Sequence, residues 1–330
     1  MQKKVWINLN EDLYDVSIFN KRFKELDYIF TKKRVENKDE ILIDMALKHD
    51  AIISFTEPWN ETTLAPMAGK HKIIVRYGVG TDNIDLPCAT RLGVAVANLP
   101  GVNSAAVAEI ALLHILNLQR GFVQSIDDAK NGFFSPYHGP ELDGKIIGIA
   151  GFGNAGRALA RLISGFKVKI IAYDPYINEA AKKSYIEKGV DFCNDLEKLF
   201  ELSDIVSLHL PLNKHTEKVI NDELLKHSKP GQYLVNTSRG GIIDEPALVK
   251  AVEKGILKGV GLDVLQIEPA KNDNPLLKLK NVYISSHLGG NSLEAIERSQ
   301  DLVADTISDF FKGNMPSNIL NPDFAAARPG

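Results

Sequence analysis

Ile146–Gly156 reads IIGIAGFGNAG, a short apolar run that passes directly into a glycine-rich turn. The turn, Gly151-Phe152-Gly153-Asn154-Ala155-Gly156, has the spacing G-x-G-x-x-G, and a helix-like run, Arg157–Ser164, follows it. Alone such a string is a weak signal; between a strand and a helix it is a strong one. A second apolar run, IIAYDPY, then places Asp174 eighteen residues beyond Gly156. Strand, turn, helix, strand and acid in that order form the fingerprint of a dinucleotide-binding βαβ unit.

Each part has a physical reason. Gly151 permits the tight turn, Gly153 lets the backbone approach a pyrophosphate, and Gly156 allows close helix–strand packing. Asn154 and Ala155 lie in the turn that leads into the helix, whose N-terminus offers unpaired N–H groups and a positive dipole end to phosphates. Asp174 is placed to accept hydrogen bonds from a ribose diol and to repel a 2′-phosphate. NAD is therefore expected over NADP.

Outward from this unit the same alternation continues. Val168–Tyr173, Asp204–Leu210, Gln232–Thr237, Gly259–Leu265 and Val282–Ser285 are apolar runs separated by helix-length charged segments. An earlier series holds Lys4–Leu9, Ala51–Phe55, Lys72–Tyr77 and Val94–Ala97, with a helix predicted over Asp39–Lys48. Short apolar runs bounded by turn signals read as strands buried on both faces, and strands alternating with helices imply a parallel sheet. Ser104–Gln119 is too long for a strand and apolar on more than one face, so a largely buried helix is expected there. The last helix, Ser292–Phe311, follows the second series and is expected to cross back to the first. The predicted architecture is two doubly wound α/β domains with a cleft between them. The first comprises residues 1–103 and a returning segment 293–330; the second is residues 104–292.

Composition narrows the function. The chain has 330 residues, 44% hydrophobic and 25% charged, with a formal net charge of −3. Those values exclude a disordered or low-complexity chain and give no electrostatic footprint for nucleic acid or an anionic membrane. The cysteines, Cys88 and Cys193, lie outside any C-x-x-C spacing and suit a reducing compartment, so a cytoplasmic protein is expected. No signal peptide or apolar stretch of about 18 residues is seen, and no membrane span is expected. No H-E-x-x-H or similar ligand spacing points to a metal.

Three unlike polar residues fall just past predicted strand ends. Arg239 follows QYLVNTS, Glu268 follows GVGLDVL, and His287 follows VYIS. In an open parallel sheet the C-terminal strand ends share one edge, where ligands bind. Arginine suits bidentate capture of a carboxylate. Histidine exchanges protons near neutral pH, and a neighbouring carboxylate orients it and favours its charged form.

These residues resemble the D-isomer-specific 2-hydroxyacid dehydrogenases over nearly the whole chain. Asn236-Thr237-Ser238-Arg239-Gly240-Gly241 is similar to that family's N-T-[SA]-R-G-G signature, and Asp263–Pro269 (DVLQIEP) to its D-V-F-E-x-E-P segment. Ser286-His287-Leu288-Gly289-Gly290 resembles its histidine region, with Ser286 in place of the usual proline, and Arg76–Asp85 (RYGVGTDNID) resembles its substrate loop. The resemblance implies that Arg239 holds the substrate carboxylate and carbonyl oxygen, that His287 is the acid/base, and that Glu268 is its partner. It implies that Asp263 contacts the nicotinamide carboxamide, and it assigns His209, Pro211, Thr216, Thr237, Ser238 and Gly290 to the cofactor side. Arg76, Tyr77, Gly78, Val79 and Gly80 fall to the substrate, with backbone N–H groups around Val79 and Gly80 binding its carboxylate. His114, in an apolar helix, is expected to be structural; Trp59 and Phe55 are pocket wall or core. Relatives are usually dimers formed through their cofactor domains, which the Ser104–Gln119 helix and its flanks suit.

The substrate is less defined. Some family members that use phosphoglycerate carry an arginine after the third strand, where this chain has Ser54-Phe55-Thr56-Glu57. An acid there is expected to repel a phosphate, although Arg76 offsets it, and no added regulatory domain is expected after residue 330. An unphosphorylated 2-oxo acid is expected. D-3-phosphoglycerate dehydrogenase, oxidation of another small anion, and an NAD-sensing corepressor-like protein are the alternatives. The tail Asn321–Gly330 carries no legible chemistry and is expected to be flexible.

Overall fold

In the computed structural model, which describes residues 2–8, 29–32, 35, 37–70, 72–134 and 136–327, the chain divides into two units. One is Met1–Val102 with Leu293–Gly330, and the other is Asn103–Ser292.

The first unit holds β1 (Lys4–Ile7), β2 (Ile29–Lys32), β3 (Ala51–Ser54), β4 (Ile73–Arg76) and β5 (Ala95–Ala97) in one parallel sheet. Their order is β2-β1-β3-β4-β5, the flavodoxin-like winding, which reverses between β1 and β3. Successive strand residues point to opposite faces, so each face has its own core. Val5, Ile7, Ile53 and Val75 pack with Val303, Ile307 and Phe310 of the Leu293–Phe311 helix. Trp6, Ile52, Ile74 and Val96 pack on the other face with Leu42 and Met45 of the Asp39–Lys48 helix. The expected Lys4–Leu9 strand stops at Ile7, and Leu9 lies outside the described residues.

The tail corrects one expectation. Asn321 Oδ1 accepts the N–H of Val96 at 2.8 Å, its Nδ2 donates to the Val94 carbonyl at 2.9 Å, and Phe324 is buried in the sheet core. Residues 321–327 are therefore anchored along β5 by hydrogen bonds and burial; 328–330 lie outside the described residues.

The second unit holds β6 (Ile146–Ala150), β7 (Lys169–Tyr173), β8 (Val190–Phe192), β9 (Ile205–Leu208), β10 (Gln232–Asn236), β11 (Leu257–Leu262) and β12 (Val282–Ile284). All are parallel, in the order β12-β11-β10-β9-β6-β7-β8, and the winding reverses between β6 and β9. This is the Rossmann arrangement, and its reversal point is where ligands bind. The Asn154–Ile163 helix packs beside the Ser104–Arg120 helix through Ala108, Ala111, Ile115, Ala158 and Leu159. The Ser104–Arg120 helix is also buried against β10 and β11, where Leu118 and His114 meet Gly259 and Gly261, so it is largely buried as expected and only a narrow stripe with Leu113, 55% exposed, faces away. Several strands end earlier than their apolar runs, which leaves His209, Thr237 and Asp263 in loops beyond the sheet. Among the described residues no single helix is long and apolar enough to cross a membrane.

Candidate active site

The glycine-rich turn leaves β6 at the reversal point. Gly151 has φ +91°, and a Cβ there would lie 2.5 Å from the His209 carbonyl oxygen. A Cβ at Gly156 would lie 2.2 Å from the Gly151 oxygen, whereas nothing lies within 4 Å of one at Gly153. The first and third glycines are thus needed for packing, and the second leaves the backbone open to a close approach. Gly153 caps the Asn154–Ile163 helix without any side-chain acceptor. At the end of β7, Asp174 Oδ2 accepts the N–H of Phe152 and Oδ1 that of Tyr176, both at 2.9 Å. One carboxylate therefore holds the glycine turn and its own loop in register.

Beyond β9, His209 Nε2 lies 2.9 Å from Ser207 Oγ, while its Nδ1 is enclosed without a hydrogen-bond partner. Burial pushes the imidazole pKa down to about 4. Thr237 Oγ1, beyond β10, is likewise enclosed and unpartnered. Enclosed polar atoms of this kind ask for a ligand. Together with the open approach at Gly153, they fit a bound dinucleotide. Thr216 is engaged differently: its hydroxyl donates to the Pro211 carbonyl at 2.5 Å and so shapes the loop between them.

The second group lies beyond β10, β11 and β12. Asn236 Nδ2 donates to the Arg239 carbonyl at 2.9 Å, and its Oδ1 accepts the Ser238 N–H and hydroxyl. Arg239 Nη1 donates to the Ser238 carbonyl at 2.7 Å. A Cβ on Gly240 would lie 1.9 Å from the Leu265 carbonyl carbon, so only glycine lets the Arg239 loop rest on the Glu268 loop. Glu268 Oε1 accepts the N–H of Leu265 at 2.9 Å, and Oε2 lies 2.7 Å from His287 Nδ1. Burial raises the Glu268 pKa, but the His287 hydrogen bond, the Leu265 N–H and the nearby His287 and Arg239 outweigh it and hold the carboxyl below its usual range.

His287 itself sits at φ +57°, a left-handed conformation unusual for a residue with a Cβ. Its N–H donates to the Asp263 carbonyl at 3.0 Å. The Asp263 side chain is 1% exposed. Its Oδ1 accepts from Ser285 Oγ at 2.6 Å and from the N–H of Leu288 at 2.8 Å, and its Oδ2 from the N–H of Gly289 at 2.7 Å. Asp263 thus ties down the turn that presents His287. Gly290 follows closely, with Asn103 Nδ2 3.2 Å from where its Cβ would be.

In the first unit, Arg76 at the end of β4 folds over Gly78 and donates from Nη1 to the Tyr77 carbonyl. The Tyr77 ring stacks on Phe55 at 4.8 Å. Val79 is exposed, and its carbonyl accepts from Asn98 Nδ2 at 2.7 Å. Glu57 overturns the repulsion argument drawn from the sequence, because it is 3% exposed and points inward. Asn8 Nδ2, Ser54 Oγ and the N–H of Phe55 all donate to it, so its charge is absorbed at the β1–β3 reversal. Trp59 is core, with its Nε1 donating to Ser54 Oγ at 2.7 Å. Asn98, Asn236 and Ser285 shape these loops; Asn98 and Ser285 were given no role from sequence, and Asn236 was noted only as part of a signature. A polar residue at the very end of an apolar run is the signal all three share.

A turn shaped for a pyrophosphate shares its sheet edge with a histidine held by a carboxylate. That is the equipment of a nicotinamide-dependent oxidoreductase acting on a CH–OH group. Residues 112–289 match the family model for the D-isomer specific 2-hydroxyacid dehydrogenase, NAD binding domain. The chain belongs to this family, and NAD is its cofactor. It is 38% identical to a glyoxylate reductase of Thermococcus litoralis over 298 residues, 88% of each protein. It is 37% identical to a D-3-phosphoglycerate dehydrogenase of Methanocaldococcus jannaschii over 77% of this chain and 48% of that protein. Among solved structures, D-lactate dehydrogenase from Aquifex aeolicus, complexed with NAD and lactic acid, superposes with a TM-score of 0.83 at 27% identity. That superposition covers 96% of this chain and 99% of the other.

Proposed function

We propose that the protein reversibly reduces a small, unphosphorylated 2-oxo acid of the glyoxylate type to the corresponding 2-hydroxy acid, with D configuration wherever the product has a stereocentre. The observation that carries this reading is the 2.7 Å contact between His287 Nδ1 and Glu268 Oε2. With Nδ1 engaged, Nε2 is the ring nitrogen that exchanges a proton with the substrate oxygen. Bound NADH supplies the hydride. Glu268 holds the ring in one orientation, with Nε2 left to serve the substrate oxygen. The Arg239 guanidinium takes the substrate carboxylate, a planar anion that matches its fork. The N–H groups of the Gly78–Gly80 loop are proposed to bind a substrate carboxylate, and Asp174 to hold the adenosine ribose.

Two observations favour a substrate without phosphate. The glyoxylate reductase relative aligns with 88% of this chain, the phosphoglycerate enzyme with 77% of it. Next to the Gly78–Gly80 loop the chain offers a Phe55–Tyr77 stack, while the Arg76 guanidinium is turned onto the Tyr77 carbonyl. NADH consumption with glyoxylate, hydroxypyruvate, pyruvate and 3-phosphohydroxypyruvate tests the proposal. Preference for the phosphorylated acid would overturn the substrate, and NADH binding without any turnover would favour a sensing role.

We also propose a homodimer formed through the second unit. The Phe122–Lys130 helix has no buried residue, and Phe122, Ile126, Phe133 and Phe134 are exposed, Phe134 at 88%. Sedimentation equilibrium at the monomer mass would overturn it. Both cysteines are free thiols, which suits the reducing cytoplasm we propose as its location.

A further inference from the structure

The His114 ring, on the Ser104–Arg120 helix, is 7% exposed and was expected to be a packing group. A chain of hydrogen bonds nevertheless leads from it into the His287 turn. His114 Nε2 lies 2.9 Å from Ser285 Oγ, and Ser285 Oγ lies 2.6 Å from Asp263 Oδ1. The same carboxylate then accepts the N–H groups of Leu288 and Gly289.

Proton counting sets the direction. A serine hydroxyl has one hydrogen, and an ionised carboxylate only accepts. The Ser285 hydrogen goes to Asp263, so His114 must donate from Nε2. Burial lowers the His114 pKa, which keeps the ring neutral with its lone pair on Nδ1. Strand β11 makes room for the ring at Gly261, where a Cβ would lie 2.7 Å from His114 Nδ1.

We infer that His114 and Ser285 are positioning residues that act through Asp263 to hold the Leu288–Gly289 backbone, and with it the left-handed turn that brings His287 to Glu268. This rests on the proposed proton-donor role of His287. An almost fully buried carboxylate with three donors cannot lose one without moving toward another. The groups free to follow it are those of the His287 turn, whose φ of +57° survives only while its surroundings enforce it.

Ser285→Ala removes the middle link, and Ser285→Thr keeps the hydroxyl. His114→Leu removes the outer donor, and His114→Gln retains an N–H near the position of Nε2. Two readouts are taken on full-length protein. The first is kcat and KM for NADH-dependent glyoxylate reduction. The second is the NMR resonance of His287 in protein carrying carbon-13 at histidine Cε1, identified by its loss in His287→Gln. Ser285→Ala should lower kcat about 10- to 100-fold, with KM for NADH changed less than about threefold. The same variant should shift or broaden the His287 resonance. Ser285→Thr and His114→Gln should restore both, and His114→Leu should act like Ser285→Ala. Lowered melting temperature with an unchanged resonance and unchanged kcat in Ser285→Ala would overturn the relay. If the wild type turned over no 2-oxo acid, the proton-donor reading would fall, and the His287 resonance alone would decide whether the relay positions the turn. If His114→Leu fails to fold, the two Ser285 variants suffice.

Discussion

Glu268 Oε2 stands 2.7 Å from His287 Nδ1, and the other oxygen of the same carboxylate is held by the N–H of Leu265. The pair is thus built from one rigid partner and one ring that must keep its orientation. Glu268→Gln is expected to lower kcat for reduction about 10- to 100-fold. The pH dependence has a definite sign, because the folded-state carboxyl lies below its usual range. The stabilisation Glu268 gives through this pairing is full at neutral pH and is lost as pH falls through the depressed value. Thermal melts of wild type and Glu268→Gln across acidic pH should therefore converge; a gap that widens on acidification would contradict the assignment.

Asp174 holds the Phe152 and Tyr176 N–H groups, and its proposed second duty is to present negative charge against a 2′-phosphate. Wild type is expected to favour NADH over NADPH by more than about tenfold in kcat/KM, about 1.4 kcal/mol of discrimination. Asp174→Ser should narrow that ratio and weaken NADH binding. Steady-state kinetics with both cofactors measures each effect, and an unchanged ratio would remove Asp174 from cofactor choice.

His209 must be neutral to stay enclosed. Its pKa of about 4 in the folded chain lies below the ordinary histidine value of 6.5. The stability it supports is complete above pH 6.5 and is lost progressively as pH falls toward 4. The loss amounts to no more than about 3 kcal/mol. His209→Asn should flatten this acid limb in urea titrations; a limb as steep as that of the wild type would place its origin elsewhere.

Asn98 donates to the Val79 carbonyl at 2.7 Å, while its own carbonyl accepts from Asn318 Nδ2 at 2.7 Å. Asn98→Ala should loosen the Gly78–Gly80 loop and raise KM for the 2-oxo acid about tenfold, while leaving the dissociation constant for NADH unchanged. Fluorescence titration with NADH and initial-rate kinetics separate the two. A change in NADH affinity alone would show that this loop does not serve the substrate.

Much of the architecture was legible because its signals are local. Unbroken apolar runs along IIGIA and KIIAY, the left-handed φ at Gly151, the close packing of Gly156 on Gly151, and a carboxylate just past β7 are properties of neighbouring residues. They define a parallel strand–turn–helix–strand unit wherever it lies. Arg239, Glu268 and His287 were legible for a similar reason, since strand ends of a parallel sheet gather on one edge. Strand β8, a three-residue VDF with one exposed position, escaped because so short a run has no clear period.

What sequence alone determined, then, was the class of the fold, the cofactor turn and the identity of the polar groups at the strand ends. Tertiary structure decided what each of those groups faces. Glu57 reads as a charge in a loop but is turned inward to accept a hydrogen bond from Asn8, forty-nine residues away, because β1 and β3 are neighbours in the sheet. The tail reads as unstructured but is bonded to β5 through Asn321. Asp263 meets Ser285, and Ser285 meets His114 across 171 positions, because strand order brings β11 and β12 beneath one helix. A hydrogen bond depends on a separation of about 3 Å. Sheet order sets that separation between distant residues, and no local pattern in the chain encodes it.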